Sequence, residues 1–191
     1  SADTITVNAN ALGGNVEYTT DGSATEAFTG SSSSDVVTLT SAAGDNDSFD
    51  FGEGGADKVA ISVTESSTVA NIVYDGAGTD PTFTGVDIAE ITVVDDDTSN
   101  DGSLEGNTTL DIAEVSEISG RIDIVAGEAG YGVGGAFLKA NNLDTGDTVN
   151  FVGFDASNTS ANLQADLASG VTTAGSSLEI GIDADAAGSG A

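Results

Sequence analysis

The chain has 191 residues, 32 of them acidic (22 Asp and 10 Glu) against three basic ones, for a formal charge of −29, with 38% apolar and 5% aromatic residues. Such a surface excludes nucleic acid as a partner, since phosphates would meet no basic stripe. The absence of Cys, His, Met and Trp removes disulfides, thiol nucleophiles, imidazole bases and the usual zinc ligands, so the sequence reads as non-enzymatic.

Runs rich in Val, Ile, Thr and aromatics, bounded by Gly, Ser, Asn or Asp, predict strands at Thr4–Val7, Val16–Thr19, Val36–Thr40, Ser48–Phe51, Val59–Val63 and Val69–Tyr74. A second group follows at Asp87–Val94, Thr108–Ile112, Arg121–Val125, Ala136–Lys139, Thr148–Phe151 and Leu178–Ile182. One short helix is expected at Ala161–Ser169, capped by Ser160 and stopped by Gly170, with Leu163 and Leu167 on one face. The only proline, Pro81, follows a Gly/Asp-rich stretch and suggests a joint, dividing the chain into 1–80 and 81–191 or marking a kink in one continuous domain.

An echo links Val86-Asp87-Ile88-Ala89-Glu90-Ile91 with Leu110-Asp111-Ile112-Ala113-Glu114-Val115, 24 residues later. A period in the twenties points to successive turns of a parallel β-solenoid, each burying its apolar positions against the next. The competing arrangement is two similar strands of a β-sandwich. No apolar run reaches the roughly 18 residues of a membrane span. With no Met in the chain, Ser1 is expected to arise by processing or excision.

Three segments place an Asp two residues before an apolar residue in a glycine-containing context: Gly30-(Ser)4-Asp35-x-Val37, Gly44-x-x-Asp47-x-Phe49 and Gly54-Gly55-x-Asp57-x-Val59. At these points the chain resembles the RTX (repeats-in-toxin, hemolysin-type) calcium-binding proteins, and in particular RTX-like bacterial surface-layer proteins. The resemblance implies an all-β parallel solenoid like a calcium β-roll, in which the ion lies between successive turns and is held by Asp side chains and backbone carbonyls. It makes Asp47 and Asp57 the leading candidate calcium ligands, with Asp35, Asp45, Asp50 and Glu53 beside them.

A second acidic run, Asp95-Asp96-Asp97-Thr98-Ser99-Asn100-Asp101, offers Asp95, Asp96, Asp97 and Asp101 as further candidate calcium ligands. Its spacing is similar to an EF-hand loop, but Thr108 occupies the twelfth position where a bidentate Glu is needed. Asp144 and Asp147 are expected to shape a corner, and Arg121 and Lys58 to make structural ion pairs. Asp87 with Glu90 could pair for glycoside hydrolysis, but the chain lacks the aromatic platforms of sugar clefts.

The function expected from these features is a secreted structural protein of a bacterial cell surface that binds calcium and assembles with itself into a lattice or filament, with cell-surface polysaccharide as a further partner. The alternatives are a calcium-stabilised adhesion module of a larger surface protein, and a halophile domain whose acids serve hydration.

Overall fold

The computed structural model describes residues 3–40, 46–64, 68–69, 80–94, 108–112, 115, 118–127, 131–132, 137–144, 146–155, 162–167 and 179–183. Every strand pairing among them is parallel. The first sheet takes β1 (Thr4–Asn8), β3 (Thr25–Thr29), β5 (Ser48–Asp50) and β8 (Thr82–Thr84). The long sheet takes β2 (Glu17–Thr19), β4 (Val36–Leu39), β6 (Lys58–Thr64), β9 (Ile88–Val94), β11 (Arg121–Ala126), β14 (Thr148–Val152) and β17 (Glu179–Asp183). A third sheet holds β7 (Thr68–Val69), β10 (Thr108–Asp111), β13 (Phe137–Leu143) and β16 (Asn162–Leu167), and a two-stranded one pairs β12 (Tyr131–Gly132) with β15 (Phe154–Asp155).

The chain leaves one sheet, visits another and returns to lie beside its previous strand. Short loops cannot join parallel neighbours directly, so each parallel pair needs such a circuit. The result is the all-β, parallel solenoid-type fold expected from the sequence. In the long sheet, Glu17 pairs with Val36, Val36 with Lys58 and Lys58 with Ile88, advancing 19, 22 and 30 residues per coil. The long sheet carries strands from both sides of Pro81, and β6 pairs with β9 over seven residues.

The echo has a different meaning from the one its spacing suggests. Ala89 pairs with Ile122, 33 residues on, whereas Leu110 lies in the third sheet. The two copies are therefore successive strands within one coil rather than equivalent positions in adjacent coils. Coil length here is set by loops of unequal size, so no fixed period exists to be read.

The core follows from the two-residue alternation of strands. Register stacks Val37, Val59, Ala89, Ile122 and Val149 in one interior column, and Leu39, Ile61, Ile91, Ile124 and Phe151 in the next. All ten are buried. Aromatics fill the wider end under the first sheet: Tyr18 stacks on Phe28 at 5.7 Å, Phe28 tilts against Phe51 at 5.6 Å, and Phe49 stacks on Phe83 at 5.0 Å. Each such side chain contributes on the order of 1.5–3 kcal/mol by leaving water.

Residues 162–167 form strand β16 rather than the expected helix. Leu163 and Ala165 are both partly buried against the core and pair with Leu138 and Ala140 of β13. Pairing with a preformed neighbour strand supplies backbone partners that an isolated helix of about nine residues could not match. A helical turn does occur at Val115 and Ile118, closed by the Ser119 N–H donating to the Val115 carbonyl at 3.2 Å.

Candidate functional site

Between the first and long sheets the chain turns a corner in each of three successive coils, through Gly30–Asp35, Phe51–Asp57 and Gly85–Asp87. Each turn ends on an Asp one residue before a long-sheet strand, so the register of β4, β6 and β9 stacks Asp35, Asp57 and Asp87. Asp35 is 0% and Asp57 1% exposed, while Asp87 is exposed.

The stack is held by a repeated hydrogen bond from one coil to the next. The Val16 N–H donates to Asp35 Oδ1 at 2.8 Å, the Asp35 N–H to Asp57 Oδ1 at 2.8 Å, and the Asp57 N–H to Asp87 Oδ2 at 2.9 Å. At the residue before a strand the ladder has not yet begun, and a buried N–H there needs an acceptor. The carboxylate of the following coil supplies it. Asp47, before β5 in the first sheet, repeats the arrangement by accepting from the Glu26 N–H at 2.8 Å.

Asp35 is further tied to Ser31, whose N–H donates to Oδ2 at 2.5 Å and whose hydroxyl donates to Oδ1 at 3.0 Å. Glycine is required beside it, because a Cβ at Gly30 would lie 2.5 Å from Asp35 Oδ2 and 2.6 Å from the Phe51 carbonyl oxygen. At Gly55, with φ +85°, a Cβ would run into the Ser33–Ser34 backbone. The second and third turns thus touch backbone to backbone.

Asp57 differs from Asp35 in having little compensation. Among the described residues its second carboxylate oxygen accepts no hydrogen bond. Its pKa is raised, first by burial and then by the charges of Asp35 and Asp87, against the lowering effect of the Asp35 N–H. A second buried carboxylate, Glu26, is 1% exposed and takes the Tyr18 hydroxyl at 2.7 Å and the Asp21 N–H at 2.6 Å on one oxygen. Burial, the bond to Glu26 and the nearby acid charges raise the Tyr18 pKa, keeping the phenol a donor.

Of the candidate calcium ligands, Asp35 and Asp57 are brought together at this corner. Asp47 lies buried at the other corner, Asp50 is exposed and accepts from the Gly52 N–H at 3.1 Å, and Glu53 is exposed in the third turn. Asp45, Asp95, Asp96, Asp97 and Asp101 lie outside the described residues. Among the described residues no three acidic side chains converge closely enough to hold a metal by themselves. Calcium wants six to eight oxygens, and the backbone contact at Gly55 leaves no gap for an ion at that point. The oxygens with spare capacity are the second one of Asp57 and those of Asp87, to be completed by backbone carbonyls and water.

The basic side chains lie elsewhere. Lys58 Nζ meets Glu90 of the next coil at 2.9 Å, and Arg121 makes a two-point contact with Asp123 of its own strand at 2.8 and 3.1 Å. Asn150 adds a 2.6 Å bond to Asp123. Asp144 and Asp147 shape a corner, the Asp144 N–H donating to Asp147 Oδ2 at 2.8 Å just before β14.

Sequence reasoning singled out Asp35, Asp47 and Asp57 but passed over Glu26 and treated Asp87 only as one of an acid pair. Asp87-x-Ala89 and Asp147-x-Val149 repeat the same Asp-x-apolar pattern at strand starts without the glycine pair. That pattern, stripped of its glycines, was the available signal.

No family model, curated protein or solved structure matches this chain.

Proposed function

We propose that this chain is a non-catalytic structural module of a secreted bacterial surface protein, which binds calcium and associates with its own copies into a layer or filament. The observation that carries the reading is Asp57: a buried carboxylate, 1% exposed, stacked between two others, with one oxygen unbonded among the described residues. The chain has only three basic residues to offset −29, and two of them are committed to Glu90 and Asp123. A divalent cation recruited to the Asp57–Asp87 step would relieve like-charge repulsion in a low-dielectric place, where it is least screened. Calcium suits an irregular, partly hydrated oxygen set better than magnesium, which holds its waters and demands an octahedron. Repetition of solenoid coils gives a rigid, extendable unit suited to a layer.

The test is calorimetric and light-scattering titration of the chain with calcium, magnesium as control, and with Asp57→Asn/Asp87→Asn. The wild type should bind calcium and associate, and the double variant should bind at least tenfold more weakly, about 1.4 kcal/mol. Equal responses to both ions, or an unchanged affinity in the variant, would remove this reading.

A further inference from the structure

The outward face of the long sheet differs in charge from the molecule that carries it. On its five central strands, β4, β6, β9, β11 and β14, the outward charged residues are Lys58, Glu90, Arg121 and Asp123, which sum to zero in a chain of −29. Every other outward position on these strands is Thr, Ser, Ala, Val, Ile or Asn. Apart from Asp123 at 8%, these positions are partly or fully exposed. The Arg121 side chain is 52% exposed.

The charges are also ordered. Register puts Lys58 and Arg121 in one column, and Glu90 and Asp123 two residues along in the next. A two-fold axis running along the stack between these columns exchanges them. Arg121 of each copy then faces Asp123 of the other, and Lys58 faces Ala60, beside which Glu90 lies on the adjacent strand. The same exchange sets Glu17, at the β2 edge, over Thr19, so no acid is forced onto its own counterpart.

We propose that this face is an isologous interface between two copies of the chain, packed sheet on sheet. The proposal deepens the self-association read above but does not use calcium. Elsewhere the copies repel, so the neutral band is where they can approach. Five strands about 4.8 Å apart and five residues about 3.3 Å apart give about 400 Å² of plan area per copy, which places the contact among weak interfaces. A weak contact repeated along a layer gains by multivalency.

Sedimentation velocity in potassium chloride with a calcium chelator tests this across a protein concentration series. A concentration-dependent dimer is expected, abolished by Arg121→Asp and by Thr38→Glu, and restored by the charge swap Arg121→Asp/Asp123→Arg, with far-UV melting reporting that each variant folds. A wild-type monomer at every concentration overturns the interface, as does a dimer indifferent to both variants. Association seen only with calcium and untouched by these variants would overturn the interface while leaving calcium-driven assembly standing; a chelator-resistant dimer with no calcium binding would do the reverse. Monomers retained on insoluble cellulose or chitin, and released by Arg121→Asp, would overturn the second copy in favour of a polysaccharide.

Discussion

Asp57 has two neighbours of its own charge, one N–H donor and almost no water. Because its pKa is raised in the fold above the ordinary 3.8, the folded chain holds more protons than the unfolded one between the two values. The stability linked to this group is therefore fully present below the unfolded value and is lost as pH rises through the folded one. With calcium chelated, Asp57→Asn should melt higher than the wild type at pH 7, and the gap should close below about pH 4, where the wild-type carboxyl is protonated. Melting curves followed by circular dichroism at both pH values check this. A variant that melts lower at pH 7 would mean that the charge is already compensated. The position of Asp57 was legible from Gly54-Gly55-x-Asp57-x-Val59, but its partner was not. An Asp before a strand looks the same whether it caps its own turn, bridges to another coil or holds a cation, and only the register of β4 against β6 distinguishes them.

The strands were legible where alternation was strong and lost where a polar residue occupied an inward position. Strand β3, Thr-Glu-Ala-Phe-Thr, hides its pattern because buried Glu26 stands where an apolar residue is expected. Strands β12 and β15 contain two residues each, too few to show a period. In β16, Leu163 and Leu167 suit a helix face as well as a strand, since four residues are a multiple of two and nearly one helical turn; the neighbouring β13 decides. The corners that join these strands depend on close backbone approach. Gly30→Ala should push Asp35 or the Phe51 carbonyl aside and destabilise the fold by about 2 kcal/mol, in the range for overpacking a closed site. Chemical denaturation of the variant measures it, and a change within about 0.5 kcal/mol, the size of an ordinary surface substitution, would show that the turn yields.

At the scale of the molecule, stability should be graded along the stack. Strands β6, β9 and β11 have six or seven residues each and neighbours on both sides, whereas β1 and β2 are paired on one side only and leave Ile5, Val7, Val16 and Tyr18 half covered. In such nearest-neighbour architectures, opening starts at the less supported coils. Amide hydrogen exchange should be slowest in β6, β9 and β11 and fastest in β1 and β2. Uniform protection from Thr4 to Val152 would instead indicate a single cooperative unit. The parallel class was legible because short β-rich runs recur with turn residues between them, but coil membership was not: loop lengths vary, and the 24-residue echo falls within one coil rather than between two.

The corner bridges all point the same way in time. Val16 waits for Asp35, Asp35 for Asp57 and Asp57 for Asp87. A chain emerging from its N-terminus therefore leaves one donor open at each corner until the next coil arrives to close it. The two directions of truncation are not equivalent. Ending the chain after Asp57 strands a buried N–H, at about 1–3 kcal/mol, whereas starting it there merely frees a carboxylate oxygen to meet water. Each coil is thus completed by its successor, and the order of synthesis is also the order in which the corners can be sealed.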